Sequence, residues 1–520
     1  MKKTVIKMLE NELWWGGTNV QGTKMPFNRD TEIQFDLGSD GGNEAMPFMA
    51  SNLGRIIWSD LPFKYTITNG EIIIDGEEII LEKGGENLRE AFVYARRKYF
   101  PIDKRKLNRE FFKTVQYNTW IECLYHPTQE HVLRYAHSII DNGFEPGILM
   151  IDEGWHGRYG NWDFDRLAFP DPKKMVDELH AMGFRVLLWI VPCVCPDGEF
   201  FIKKVNASNA TDEPEDRLFL RKKDNPDEPA LFHWWNGYSA MLDIERPKDF
   251  EFIDSQLQHL INEYGIDGFK FDGGSVDMYD KKYCINGDIL TDRTANEMNI
   301  SWNKLADKYD FHEYKDTYGC AGKATIQRLR DRRHRWDDKE GLASIIPDSV
   351  AQGLIGYPFI CPDMVGGGGW TDFLPGRVID SELFVRWAQC SALFPMMQYS
   401  KAPWDCLSKE DCDLVLAAGK LHFDMTDEII EMVERAEQTG EPILRNLEYN
   451  YPNSGYAFIK DEFMLEDKIL VAPVLEKGAR SRTVTLPVGT WIADDGKVYE
   501  GGKYYIIDCP IDRLIWFRKK

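Results

Sequence analysis

The chain contains 520 residues, of which 43% are hydrophobic and 13% aromatic, and it carries a formal net charge of −22 at pH 7. That length is enough for a large central domain with one or two smaller domains around it. The acidic balance and the lack of a basic run argue against nucleic acid or an anionic membrane surface as a partner.

Cysteine usage and the N-terminal sequence indicate the compartment. The ten cysteines are scattered and form no C-x-x-C pair, which favours free thiols in a reducing compartment and argues against a zinc site. The N-terminal stretch MKKTVIKMLENELWWGG lacks the apolar core and small-residue cleavage site of a signal peptide. Because no run of 18 apolar residues is present to span a membrane, we expect a cytoplasmic protein, and we expect no cofactor.

Residues 1–110 have the pattern of an N-terminal β-sandwich domain. Short β-like runs alternate with Gly, Asn and Asp turns, and these runs are Glu32–Leu37, Tyr65–Thr68 and Glu71–Ile74. Within Ile72–Ile80, the pair Asp75-Gly76 predicts the turn of a hairpin.

Residues 111–440 alternate between predicted strands and predicted helices. The strands are Val115–Glu122, Gly147–Ile151, Phe184–Val191, Tyr264–Phe271, Ala324–Leu329 and Tyr357–Cys361, and the helices are Thr128–Asn142, Pro172–Met182 and Lys248–Tyr264. This α/β repeat predicts a (β/α)8 TIM barrel. The irregular segments 196–240 and 275–320 are predicted loop insertions beside its active site. Residues 441–520 return to short strands and predict a C-terminal antiparallel β domain.

The segment Gly268–Gly274, with the sequence GFKFDGG, is the most informative part of the chain. Its β-like run ends at Asp272, and the C-terminal ends of barrel strands carry the chemistry of such folds. Lys270 lies two residues earlier and shares the strand face, so its ammonium would keep the aspartate ionised, as a nucleophile requires. Taken alone, the segment is equally consistent with a strand that ends in a solvated aspartate.

Other predicted strands end in acidic and tryptophan side chains, a combination that suits a sugar. Carboxylates accept hydrogen bonds from hydroxyl groups, and indole rings pack against the C–H faces of a pyranose. Each residue also has a structural interpretation, since Asp152 could cap a helix and Trp189 or Trp336 could lie in the core.

Several segments along the chain resemble glycoside hydrolase family 31, the retaining α-glycosidases. They are IDEGW at 151–155, WDFD at 162–165, LWIVP at 188–192, WWNGYSAMLD at 234–243, GYPF at 356–359, PDMVGG at 362–367 and LVAPV at 470–474. The resemblance implies a barrel enzyme that acts on an oligosaccharide or a small α-glycoside.

By this resemblance, Asp272 is the nucleophile, and a second carboxyl acts as the acid and base. In a retaining enzyme the two lie about 5–5.5 Å apart. The family places the acid in a Trp-x-Gly-Asp pattern, whereas this chain has the shorter Trp336-Asp337-Asp338. Asp338 is therefore the first candidate for the acid and Asp337 the alternative.

The resemblance also implies a set of sugar-binding residues. The barrel contributes Asp152, Trp155, Trp189, Trp235, Lys270, Arg335, Trp336 and Asp363. Family members often push an N-terminal loop into the pocket, and in the polar loop at 38–44 Asp40 is the candidate contact, with a solvated surface loop as the alternative.

Two departures from the family pattern bear on the sugar. Lys270 precedes the nucleophile by two residues, and the segment Phe394–Lys401 lacks the Arg and His that many members have there. The form KFDGG resembles an α-galactosidase-type branch, with α-glucosidase and α-xylosidase as alternatives.

Outside this class, the alternatives are a metal-dependent lyase, a Schiff-base aldolase and a carbohydrate-binding pseudoenzyme. The acidic pI and 16 tryptophans leave room for a homo-oligomer.

Overall fold

The computed structural model describes residues 2–40, 42–209 and 217–520. Its centre is a parallel sheet of eight strands, β1 Gln116–Asn118, β2 Ile148–Ile151, β3 Arg185–Ile190, β4 Gly268–Phe271, β5 His312–Tyr314, β6 Gln327–Arg328, β7 Ile360–Cys361 and β8 Gln398–Tyr399. The strand order is β7-β6-β5-β4-β3-β2-β1-β8. Between β7 and β8, the Val365 N–H donates to the Gln398 carbonyl at 2.8 Å. The predicted TIM barrel is confirmed.

Several of the longer helices begin at side-chain caps that the sequence supplies. Thr128 accepts from the His131 N–H, and Asp171 accepts from the Lys174 N–H ahead of Pro172, so orphan N–H groups are satisfied. The helices of eight or more residues are Leu88–Lys98, Gln129–Asp141, Pro172–Ala181, Glu199–Asn209, Pro247–His259, Ala295–Asn303, Ile345–Leu354, Ser381–Ser391, Lys409–Asp424 and Thr426–Thr439. In the part of the chain that the structure describes, none of the helices has the length and apolarity needed to cross a membrane.

The N-terminal region contains two β-sheets. One orders Lys2–Lys7, Glu71–Gly76, Lys64–Thr68 and Ile33–Asp36. The other is built around Glu44–Ser51, which pairs with Trp14–Thr18 and Arg55–Trp58, while Ile80–Lys83 lies at the edge. The connecting strand Thr317–Tyr318 from the barrel pairs parallel with Glu44–Ala45 and joins this sheet to the exit of β5.

The hairpin predicted at Asp75-Gly76 is wrong. Glu71–Gly76 is one continuous strand paired with Lys64–Thr68. The turn lies instead at Asn69-Gly70, where both residues have positive φ angles, 50° and 73°. Asn-Gly is a strong two-residue turn signal because both residues tolerate the left-handed conformation.

The C-terminal region forms an antiparallel sheet with its own buried core, which includes Trp491 and Phe517. The six strands of the sheet, in spatial order, are Leu444–Arg445, Phe463–Leu465, Ile469–Ala472, Ile515–Lys519, Thr490–Ala493 and Val498–Glu500. Ser481–Leu486 pairs with Lys503–Asp508 beside it. The predicted antiparallel β structure is confirmed.

Candidate active site

A cavity of about 210 Å³ opens at the C-terminal ends of the barrel strands. Its wall combines carboxylates, lysines and aromatic rings, and it is lined by Trp120, Tyr125, Asp152, Glu153, Trp189, Trp235, Lys270, Asp272, Lys315, Asp331 and Trp370. Five of the residues predicted from the sequence therefore meet in one place, namely Asp152, Trp189, Trp235, Lys270 and Asp272.

Asp272 directly follows β4 and is held by two hydrogen bonds. The Trp189 indole N–H donates to Oδ2 at 2.8 Å, and the Gly273 N–H donates to Oδ1 at 2.8 Å. Burial alone would raise the pKa of Asp272, but Lys315, Lys270 and the indole outweigh it and hold the pKa below its ordinary value. Asp272 is an oriented, ionised carboxylate.

Lys270 and Asp152 form a buried ion pair at the cavity. Lys270 Nζ lies 2.6 Å from Asp152 Oδ2, and both side chains are almost fully buried. Parallel pairing aligns Trp189 with Lys270, so the β3 and β4 side chains that line the cavity come from neighbouring strands. Because a buried charge needs a partner, the pair fixes the positions of both groups.

Asp331 is a further carboxylate near Asp272, the predicted nucleophile. Its Oδ2 lies 3.0 Å from Lys315 Nζ, which itself lies 3.9 Å from Oδ1 of Asp272. Asp272 Oδ1 and Asp331 Oδ2 are therefore at most 6.9 Å apart. This upper limit is compatible with the spacing of a retaining pair. Burial would raise the pKa of Asp331, but Lys315 and Arg328 hold it well below its ordinary value.

Arg328 organises the carboxylates beneath this site. Its buried guanidinium contacts Oδ1 of Asp331 at 3.1 Å and also pairs with Asp363. Asp363 is fully buried and accepts from the backbone N–H groups of Arg332 and Gly368. Asp363, predicted as a sugar contact, thus holds Arg328 and the loop after β6 below the cavity wall.

Glu153 lines the same cavity, and its surroundings raise the pKa of its carboxyl group. The Tyr159 hydroxyl donates to its Oε1 at 2.6 Å, and the Asn236 side-chain amide donates to the same oxygen. Burial, together with the charges of Asp152 and Asp272, raises its pKa to about 8 against the lowering effect of Tyr159. This raised pKa favours the neutral carboxylic acid at pH 7.

Aromatic rings flank the mouth of the cavity. Trp235 is 51% exposed and Trp370 is 37% exposed, and Tyr125 packs edge-on against Trp370 at 6.2 Å between ring centroids. Trp155, another predicted sugar contact, is instead fully buried and donates to the Trp189 carbonyl at 3.0 Å. It supports Trp189 from behind.

The structure does not bring the predicted acid segment to the cavity. Among the described residues that line it, Arg335, Trp336, Asp337 and Asp338 are absent. The chain bends back after Asp331. The two Asp337 hydrogen bonds to the N–H groups of Lys339 and Glu340 form a turn, the Trp336 indole donates to Asp380, and Asp338 lines a different cavity with Lys460 and Pro473.

The N-terminal domain reaches the site through Asn43 and not through Asp40. Asp40 is exposed and accepts from the Gly42 N–H. Buried Asn43 donates to the carbonyls of Lys315 and Arg328 and accepts from the Arg330 N–H at 2.8 Å. Asn43 thereby fixes the two segments that carry Lys315 and Asp331.

Sequence reasoning missed Lys315, Asp331, Glu153 and Asn43. A usable signal existed for Asp331, which follows the predicted strand Ala324–Leu329 by two residues, the position where barrel strands deliver catalytic groups. Lys315 sits in a charged segment that has no recognisable pattern. Across residues 2–40, 42–209 and 217–520, no group of three or more His, Cys, Asp and Glu side chains could hold a metal ion.

Both the barrel and the C-terminal region match known protein families. The model of the glycosyl hydrolases family 31 TIM-barrel domain matches residues 112–410, and that of the glycosyl hydrolase family 31 C-terminal domain matches residues 440–520. Among solved structures, a GH31 family sulfoquinovosidase from E. rectale covers 100% of this chain and 82% of its own, with a TM-score of 0.82 and 17% identity. At that identity, the likeness shows the fold alone.

Curated relatives share more of the sequence. The myogenesis-regulating glycosidase of Mus musculus is 31% identical over 441 residues, covering 82% of this chain and 59% of the relative. The 1,3-alpha-isomaltosidase of Kribbella flavida is 27% identical over 354 residues, covering 62% of this chain and 46% of the relative. The chain thus spans about half the length of the curated relatives it matches. On the two domain matches and the first of these relatives, the chain belongs to glycoside hydrolase family 31.

Proposed function

We propose that the chain is a retaining exo-α-glycosidase, with Asp272 as nucleophile and Asp331 as acid and base. The observation that carries the proposal is the pair of carboxylates on either side of Lys315, within a separation of 6.9 Å. A retaining mechanism needs two carboxyl groups at about 5–5.5 Å. Asp331 takes the role expected for Asp338 or Asp337, because those residues lie outside the cavity.

In the first step a carboxylate oxygen of Asp272 attacks the anomeric carbon. The bond from that carbon to the leaving oxygen breaks, and Asp331 transfers a proton to the leaving oxygen. Lys315 and Arg328 hold the pKa of Asp331 well below its ordinary value. In this proposal Asp331 takes up its proton when the bound substrate displaces solvent, since desolvation raises a carboxyl pKa.

In the second step Asp331, now ionised, removes a proton from water. The water oxygen attacks the anomeric carbon and the bond to Asp272 breaks. Asp331 is left protonated by the proton that it took from the water, and Asp272 is again a free carboxylate. Lys315 favours the ionised form of both carboxyls, which suits the nucleophile in the first step and the base in the second.

The cavity size supports action on a terminal sugar. Its volume of about 210 Å³ is below the ~300–1,000 Å³ of pockets for drug-sized ligands. Lys270 and Asp152 fill one side as a buried pair, and the exposed rings of Trp235 and Trp370 flank the opening. One ring would enter, and the aglycone would rest between the tryptophans.

We propose an α-galactoside as the substrate, on the KFDGG form around Asp272. Relatives of this chain also include proteins named alpha-glucosidase 2, from Bacillus thermoamyloliquefaciens, and alpha-xylosidase XylQ, from Lactiplantibacillus pentosus. Their names support an α-glucoside or an α-xyloside as the alternative.

A cytoplasmic location is part of the proposal, supported by ten free thiols.

The test is release of nitrophenol from p-nitrophenyl α-glycosides of galactose, glucose, xylose and N-acetylgalactosamine. We expect turnover of one sugar, with galactose first, and its loss in Asp272→Ala. Quenching of tryptophan fluorescence by the same glycosides without turnover would instead identify a carbohydrate-binding pseudoenzyme.

A further inference from the structure

We propose that Glu153 is a specificity-determining residue that binds the substrate as a neutral carboxylic acid, donating a hydrogen bond to a substrate oxygen near the cavity mouth. The inference rests on the glycosidase function proposed above. The proposal adds to the substrate site a hydrogen-bond donor, the Glu153 carboxylic acid, whose proton is present only over part of the pH range.

The placement of Glu153 is the first argument. It lines the cavity together with Asp272 and Asp331, yet it is bonded to Asn236, at the tip of the hairpin formed by Leu231–Trp234 and Gly237–Met241. The neighbouring Trp235 is half exposed and lines the same cavity. Glu153 therefore lies between the nucleophile and the opening, where sugar and aglycone meet.

The hydrogen bonds of Glu153 are the second argument. The Tyr159 hydroxyl and the Asn236 amide both donate to Oε1, and the Trp235 indole also hydrogen-bonds to the carboxyl group. A neutral carboxyl group has one O–H donor, and an oxygen that already accepts two hydrogen bonds is a poor place for the proton. The proton therefore belongs on Oε2, which makes this oxygen the donor to a ligand.

The charges around Glu153 are the third argument. Asp152 is adjacent in the chain, and Asp272 faces it from the end of β4, so both disfavour its ionisation. Tyr159 and Cys193 also face it, and their pKa values are raised. An ionised Glu153 would add another negative charge beside the nucleophile, whereas the neutral acid adds only a dipole.

The proton on Glu153 sets a pH range for this contact. With a pKa of about 8, Glu153 is mostly neutral at pH 7 and mostly ionised at pH 9. Tyr125, another cavity residue, has a pKa raised to about 12 and titrates later. We expect KM of the wild type to rise about tenfold between pH 7 and pH 9, following the loss of the neutral acid.

Glu153→Gln is the decisive variant because its amide keeps an acceptor for Tyr159 and Asn236 and donates at every pH. We expect its KM at pH 7 to stay within about threefold of the wild type, with no rise up to pH 9. Glu462→Gln is the matched control, since Glu462 is also buried with a pKa near 8 but lies in the C-terminal domain. Its profile should follow the wild type.

Two outcomes would overturn the proposal. One is an alkaline rise in KM that persists in Glu153→Gln. The other is a large loss of kcat in Glu153→Gln that azide restores, which would make Glu153 the acid itself.

Two further measurements separate this proposal from the function on which it rests. In the Glu462→Gln background, which removes a second buried carboxyl with a pKa near 8, a protonated-carboxyl infrared band that is present at pH 7, lost near pH 8 and absent once Glu153→Gln is added would establish the neutral acid without any turnover. Tryptophan quenching by galactose, glucose and xylose at pH 7 and pH 9 would report the contact. If the wild type hydrolyses no glycoside, the proposed glycosidase function is wrong. The proposed role of Glu153 is tested separately by the infrared and quenching results.

Discussion

Lys315 Nζ lies 3.0 Å from Oδ2 of Asp331, and this lysine joins the proposed acid to the proposed nucleophile. It is the largest of the charges that lower the pKa of both Asp272 and Asp331. A cation between two carboxylates lets both remain ionised at close range, which two isolated carboxylates could not do.

Lys315→Met tests this role through the pH profile. Without the ammonium, the pKa of Asp272 rises, and because the nucleophile must be ionised, the acidic limb of kcat/KM should move to higher pH. The measurement is kcat/KM from pH 4 to pH 8. Lys308→Met is the control, because Lys308 pairs with Asp254 and does not line the cavity among the described residues. An unshifted acidic limb in Lys315→Met would contradict the role.

The buried pair of Lys270 and Asp152 should dominate the stability of the site. Lys270→Met leaves the Asp152 carboxylate without its partner and should cost about 3–5 kcal/mol of unfolding free energy. Adding Asp152→Asn removes the stranded charge and should recover most of that loss. Urea unfolding of the single and double variants checks this expectation, and an equal loss in both would refute it.

His156 should make the fold sensitive to acid. It is buried, and burial lowers its pKa to about 3 against the opposing effect of a hydrogen bond with the Arg158 backbone. The unfolded chain binds a proton at this residue below about pH 6.5, so stability falls as pH drops from there toward 3, by up to about 1.4 kcal/mol per pH unit.

His156→Phe should flatten that dependence between pH 6 and pH 4, measured by urea unfolding at each pH. His137→Phe, on an exposed helix position, should leave the wild-type slope. The same slope in His156→Phe and the wild type would show that His156 is not responsible.

Most barrel elements could be predicted because apolar runs such as Phe184–Val191 are buried on both faces and lack competing signals. β5, His312–Tyr314, was not predicted because its three residues are polar or aromatic and lie in a charged segment. β8, Gln398–Tyr399, is too short to show a period. Both strands are defined by pairing with neighbours that are distant in the sequence.

The cavity-lining residues that the sequence predicted include Asp272, Lys270 and Asp152, which lie on or next to a strand. Cavity-lining residues whose position depends on a loop were not predicted. Asp331 and Asp338 are seven residues apart in one polar segment. A turn in which the Arg333 N–H donates to the Glu340 carbonyl separates them, so that Asp331 lines the cavity and Asp338 lies away from it. That turn has no signature in the sequence.

Asp272→Ala should lower turnover roughly 10⁴-fold or more, because the covalent step has no other nucleophile in position. Circular dichroism and the unfolding midpoint should match the wild type, which separates lost chemistry from lost structure. Retained turnover in a folded Asp272→Ala protein would remove Asp272 from the mechanism.

The most direct measurement compares Asp331→Ala with Asp338→Ala on glycosides with good and poor leaving groups, with and without azide. We expect Asp331→Ala to lose about 10²–10⁴-fold on poor leaving groups and much less on nitrophenol. We also expect azide to restore its rate and yield an α-glycosyl azide, while Asp338→Ala behaves as the wild type. The reverse pattern, or a β-glycosyl azide from Asp331→Ala, would contradict the pairing of Asp272 with Asp331.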